Sequence, residues 1–257
     1  MSISGSEKLR LLLSQWQPKT IETTKHLKSL GITPQHTQKY VATGWVERVG
    51  PGVFKRMNEP LTWAGALYGL QKQLDLPIHV GGPTALEAEG FSHYARLGST
   101  TAYLFAAPGT RLPNWFPRQD ASDAIFFVQT KLLPPDLGLV ETLTDGFPLT
   151  TATPERAILE TLYLAPQDFD LMEAFQILEA MRTLRPKLMQ SLLEACASIK
   201  VTRLFLYMAE RAQLPVMSHL NTSRLNLGSG DRALVEDGAY DRKYQLILPR
   251  ELVSNGN

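Results

Sequence analysis

One cysteine, Cys196, is the only thiol in 257 residues. An intrachain disulfide needs two, and cysteine-based zinc sites need more, so both are excluded. The five histidines, His26, His36, His79, His93 and His219, show no HxH or HxxxH spacing, so no metal site is expected. No apolar run approaches the roughly 20 residues that span a bilayer. The opening MSISGSEKLR has no apolar signal core. Long internal repeats and low-complexity segments are also missing. These absences describe a soluble chain of a reducing compartment, most simply the cytoplasm, with no membrane partner. What is present is a 44% hydrophobic composition, enough for a sizeable core and room for two domains.

Residues 33–56, TPQHTQKYVATGWVERVGPGVFKR, are the most informative stretch. A short polar helix leads to Gly44, then a two-stranded ribbon turns at Gly50-Pro51-Gly52. Thr33 is placed to cap that helix and Pro34 suits its first position. Upstream, Leu9, Leu12, Leu13 and Trp16 make the one-sided stripe of a helix over Glu7–Gln17. Pro18 ends it, and Thr20 is expected to cap a second helix. The order reads as a winged helix-turn-helix: three helices, the third a recognition helix, then a wing. Residues 1–58 are taken as this domain and 59–257 as the body.

Charge is divided the same way. Residues 1–58 hold nine Lys and Arg against three acids, a net +6 in a chain whose total is +1. The remainder therefore carries −5. A basic head on an acidic body suits a double-stranded DNA reader joined to a partner domain. Winged helices also serve as protein-interaction modules, and basic residues also simply solvate a surface. For DNA, Gln35, His36, Gln38 and Lys39 lie near the exposed start of the third helix, and glutamine pairs bidentately with adenine. Thr33 and Thr37 are placed to reach phosphate. The wing offers Arg48, Lys55 and Arg56, and Lys19, Lys25 and Lys28 flank the backbone. Tyr40, Val41, Trp45 and Phe54 are expected in the core, holding helix to wing.

In the body, a linker helix over 59–76 carries Trp63, Ala66, Leu67 and Leu70 on one stripe. A strand-rich region over 77–152 follows, with strands at Ile78–Val80, Ala102–Ala106, Ala124–Gln129, Leu139–Thr144 and Phe147–Thr150. Thr84 is read as opening a helix over Ala85–Glu89. Residues 153–212 are helical, beginning at Thr153-Pro154, and 213–257 close the chain with strands. The class is α+β.

Six segments carry a resemblance: GWVERVGPGVFKR, WAGALYGLQ at 63–71, HVGGPTALEAEGFSHY at 79–94, LPNWF at 112–116, TPERAILETLY at 153–163 and DRKYQLILP at 241–249. In this order they resemble the AbiEi family of abortive-infection antitoxins, from type IV toxin–antitoxin systems. The resemblance covers nearly the whole chain. It implies a bacterial operon whose second gene encodes a nucleotidyltransferase-like toxin. It implies that the winged helix represses that operon at inverted repeats in its promoter. The body would then oppose the toxin without needing a stable complex with it. Candidate antitoxic residues lie in two polar segments that match the family: Thr84, Glu87 and His93, and Arg224, Asp231 and Arg232.

No catalytic constellation, cofactor motif or metal cluster is expected. Gly228-Ser229-Gly230-Asp231-Arg232 lacks the Lys-Ser/Thr ending of a phosphate loop and reads as a hairpin turn. Cys196 lies among apolar helical residues and is read as buried. Two alternatives remain. One is a transcription regulator whose body senses a ligand or protein. The other is a metal-dependent nuclease, with Asp241 and Lys243 in the acid-x-Lys spacing and Asp231, Glu236 or Asp237 as second acid.

Overall fold

A computed structural model describes residues 5–91, 100–117 and 123–254. The chain divides into two compact units. One contains residues 1–78, 109–125 and 141–150, and the other residues 79–108, 126–140 and 151–257.

The first unit holds the winged helix. Helix α1 spans Gly5–Gln15, β1 Ile21–Thr23, α2 Thr24–Ser29, α3 Pro34–Ala42, β2 Val46–Gly50 and β3 Val53–Arg56. The three strands pair in the order β1-β3-β2. Thr20 does not cap the second helix. Residues 21–23 extend instead to pair antiparallel with β3, Glu22 opposite Phe54. The cap falls to Thr23, whose hydroxyl accepts from His26 N–H at 3.2 Å. Strand pairing thus consumes three residues that a helix reading assigns to the first turn. Gly44, at φ +73, ends α3 in the left-handed conformation that glycine tolerates. Leu12, Trp16, Leu27, Ile32, Tyr40, Val46 and Phe54 form the core. Trp45 leaves it and is 51% exposed.

Helix α4, Trp63–Leu74, belongs to the same unit. It is packed against the winged helix, not tethered to it. A β-carbon at Gly65 would collide with the Lys19 carbonyl, and one at Gly69 would lie 2.7 Å from Ile21 Cδ1. Two glycines four apart share one helix face, so they open a notch for residues 19–21. Gln73 completes the joint. Its Nε2 donates to the Ile21 carbonyl at 2.9 Å and its Oε1 accepts from Thr23 N–H at 2.9 Å. The amide thus stands where a neighbouring strand would pair with β1. Gln71 does the same for Thr150, accepting from its N–H at 2.9 Å and donating to its carbonyl at 3.3 Å.

Further along, β4 is Ile78–Val80, α5 Gly82–Ala88, β5 Thr100–Ala106, β6 Asp123–Gln129, β7 Leu139–Thr144 and β8 Phe147–Ala152. They form a five-stranded sheet in the order β6-β5-β4-β8-β7, with β4 parallel to β8. Four helices follow: α6 Pro154–Leu164, α7 Leu171–Ala180, α8 Pro186–Ala195 and α9 Ile199–Arg211. Proline at the first position starts both α6 and α8. Strands β9 Arg232–Ala233, β10 Ala239–Asp241 and β11 Leu246–Leu248 and helix α10 Arg250–Ser254 close the described chain. The architecture is α+β, with a larger C-terminal part.

In the second unit, two local features also differ from the sequence expectation. The residue before α5 is Gly81, and Thr84 lies inside the helix. Its hydroxyl accepts from Tyr103 N–H at 2.8 Å and donates to the Thr101 carbonyl at 3.3 Å, fixing α5 to β5. Residues 228–232 do not make a hairpin, because β9 pairs parallel with β11. The closing hairpin is β10 to β11. Asp241 accepts from Tyr244 N–H across its turn at 2.7 Å.

Candidate nucleic-acid interface

Helix α3 is fixed from its first turn. Thr33 Oγ1 accepts from His36 N–H at 3.4 Å, and His36 Nδ1 accepts from Thr33 N–H at 3.3 Å, a reciprocal cap. His36 is therefore engaged at the cap, and its ring lies 6.3 Å from that of Tyr40. Thr37 turns inward: it is buried and donates to the Thr33 carbonyl at 3.2 Å, out of reach of phosphate. Left facing outward are Gln35, Gln38 and Lys39, at i, i+3 and i+4 on one stripe. Lys25 and Lys28 on α2 are exposed as well. None of these three lysines enters an ion pair among the described residues.

The wing cations behave differently. Arg56 donates to the carbonyls of Leu13, at 2.7 Å, and Trp16, and to Glu59 Oε1 at 3.3 Å. It satisfies the open end of α1. Lys55 pairs with Glu47 at 2.8 Å and donates to the Glu59 carbonyl at 3.0 Å. Both serve as structural ties within the unit. Arg48 stays exposed, its guanidinium 5.3 Å from the Phe54 ring centre. Lys19 is exposed at φ +61, its N–H donating to Glu59 Oε2 at 2.9 Å.

Of the second candidate set, Thr84 is spent on β5 and Glu87 is exposed. His93 lies outside the described residues. Arg224 pairs with Glu194 at 2.9 Å. Asp231 accepts from the Tyr240 hydroxyl at 2.9 Å, and Arg232 donates to the Asp231 carbonyl at 3.0 Å. None of these bonds joins the two segments. The acid-x-Lys pair is also divided: Asp241 closes its turn, while Lys243 pairs with Glu210. Among the described residues no group of three His, Cys, Asp or Glu is placed to hold a metal ion. Cys196 is half-buried, and burial pushes its thiol up.

A buried charge network in the second unit has no counterpart among the candidates. Glu160 Oε1 accepts from Arg156 Nε at 2.7 Å and lies 2.8 Å from His79 Nε2. Its Oε2 accepts from Gly82 N–H at 3.0 Å. Gly82, at φ +51, and Gly81, whose β-carbon would strike Phe105, make room for this approach. Arg156 also donates to the carbonyls of Pro134 and Leu137, both at 2.6 Å. Burial works to raise the Glu160 carboxyl, but the charges of His79 and Arg156 hold it below the usual carboxylate range. Glu155 is likewise held low by a bidentate pair with Arg185, against the effect of burial. The sequence does carry a signal for this: three charges, Glu155, Arg156 and Glu160, within the otherwise apolar TPERAILETLY. Beside Glu155 opens a cleft of about 540 Å³, lined in part by Glu89, Phe91, Val140, Leu184, Arg185 and Leu188.

The fold and its outward stripe define a winged-helix module followed by a larger α+β body. Family models cover the chain. Residues 5–97 match "Transcriptional regulator, AbiEi antitoxin N-terminal domain" and residues 99–249 match "Transcriptional regulator, AbiEi antitoxin, Type IV TA system". The chain belongs to this family of AbiEi antitoxins and transcriptional regulators. Among solved structures, the RV2827C protein from Mycobacterium tuberculosis matches with a TM-score of 0.60 at 13% identity. The match covers 97% of this chain and 93% of that one. At that identity the likeness carries the fold alone. No curated protein matches. No helix among the described residues is long and apolar enough to cross a membrane.

Proposed function

We propose that this AbiEi protein represses its own operon by binding inverted repeats in its promoter, and separately counteracts a nucleotidyltransferase-like toxin encoded beside it. The observation that carries the first half is the outward stripe of α3, Gln35, Gln38 and Lys39, with Lys25 and Lys28 exposed nearby. Amide side chains read base edges, and lysines hold phosphate. Residues 1–58 are the DNA-binding domain in this reading. The second half rests on family membership. It works by binding, in the cytoplasm, without catalysis and without a stable toxin complex.

The test uses the full chain. Titrated on the DNA upstream of its gene, log affinity should fall linearly with log salt. Lys25, Lys28, Lys39 and Arg48 suggest about four phosphate contacts, hence a slope of about −3 to −4 per head. Lys39→Ala should reduce that slope by about 1 and Gln38→Ala should relax sequence choice. Both variants should still rescue cells expressing the toxin. A salt-independent complex, or a Gln38 variant that loses rescue but keeps repression, would count against the assignment.

A further inference from the structure

We propose, resting on the DNA binding just proposed, that the protein reads its operator through the major groove alone because Trp115 and Thr24 pin the wing tip. A ribbon that enters the minor groove needs cations or amides at its tip, since that groove is narrow and negative. The tip here is Gly50-Pro51-Gly52, with no donor side chain. Both of its ends are held. The Gly52 carbonyl accepts from Thr24 N–H at 2.8 Å and from the Thr24 hydroxyl at 3.1 Å. On Gly50 lies the Trp115 indole, so close that an added β-carbon would fall 2.8 Å from its Cγ. The Trp115 ring lies 6.5 Å from that of Phe116, which is buried at 2% exposure. The LPNWF segment therefore has a physical role: it occupies the space beside the wing.

The wing's cations do not compensate. Lys55 is paired and Arg56 is tied to carbonyls of α1 and its end. Arg48 lies against Phe54, back from the tip. By contrast α3 carries Gln35, Gln38 and Lys39 on one exposed stripe, and the major groove, about 12 Å wide, admits a helix.

Dimethyl sulfate separates the grooves, since it modifies guanine N7 in the major groove and adenine N3 in the minor. The probe is the full chain on the DNA upstream of its own gene. Guanine N7 should be protected within the site, and adenine N3 should react as in bare DNA. Pro51→Glu should bind within about twofold of the parent, since a wing tip outside the minor groove feels little of its potential. Lys39→Glu should bind about tenfold or more weakly. Both positions are exposed, so thermal melts should match the parent. Adenine N3 protection, or a tenfold loss for Pro51→Glu, would overturn the single-groove reading while leaving DNA binding intact. Absence of any protection would overturn DNA binding itself.

Discussion

The two compact units pair their buried polar groups with different chemistry. In the first unit one carboxyl, Glu22, is buried beside His26, and the other partners are mostly neutral. Gln73 stands in for a strand beside β1, Gln71 does so for Thr150, and Thr23 caps α2. In the second unit whole charges are buried: Glu155, Arg156, Glu160 and Arg203 are each 5% exposed or less. Arg203 donates to the carbonyls of Leu227 and Gly230 at 2.6 and 2.7 Å. Charge means different things in the two. Lys25, Lys28 and Lys39 are left outside on the first unit, open to solvent. The charged motif of the second unit is consumed by its own framework.

The sharpest way to break this contrast is to remove one partner from each network. Arg156→Ala leaves the Glu160 carboxylate short of a partner and two carbonyls unpaired. Losing one member of a buried pair costs about 3–5 kcal/mol. Gln73→Ala leaves one N–H and one carbonyl unpaired, which costs about 1–3 kcal/mol. Urea melts of the full chain measure both. Equal losses would mean that the buried charges hold no more than the neutral amide does.

A smaller effect tests the joint within the first unit. Gly69→Ala would place its methyl against Ile21. Overpacking of this kind costs about 1–3 kcal/mol. The same change also shifts residues 19–21, and with them β1 and the cap of α2. It should weaken DNA binding through lost order, with the salt slope unchanged. If Gly69→Ala melts like the parent, α4 is a loose linker and the winged helix stands alone.

How far the sequence carries differs between the units, and the reason is range. In the winged helix the signals are local. Thr33-Pro34, Gly44 and the period of two in the ribbon each act within a few residues, and α3, β2 and β3 lie where they indicate. Residues 21–23 read as helix because their strand partner, β3, lies more than 25 residues away. The carbonyl and carboxylate partners of Lys55 and Arg56 are set by the fold, and no local pattern announces them. The role of Trp115 depends on a contact with Gly50 across 65 positions, and no local pattern announces it. Thr84 is a plausible cap by type, yet its hydroxyl serves β5. Buried charge is legible as an oddity in TPERAILETLY, but its partner His79 is not.

The smallest expected effect sharpens the contrast by pH. Burial raises the Glu22 carboxyl in the first unit, even with His26 and Gln73 bonded to it. In the second unit Glu155 and Glu160 are held below the ordinary value of 4.5 by their cationic partners, against burial. The signs are opposite. A raised carboxyl takes its proton in the folded state before the unfolded one, so acidification through that raised value stabilises the structure around it. A depressed carboxyl contributes stability above its unfolded value, and this is lost as pH falls through the folded one. Going down from neutral, β1 and α2 should therefore hold or gain amide protection just above 4.5. Below it, α6 should lose protection first. Hydrogen exchange of the full chain, corrected for the intrinsic pH dependence of the rates, resolves the two by segment. Loss of protection in β1 and α2 ahead of α6 would show that the buried acids do not govern the acid response, and that the contrast between the units lies in geometry alone.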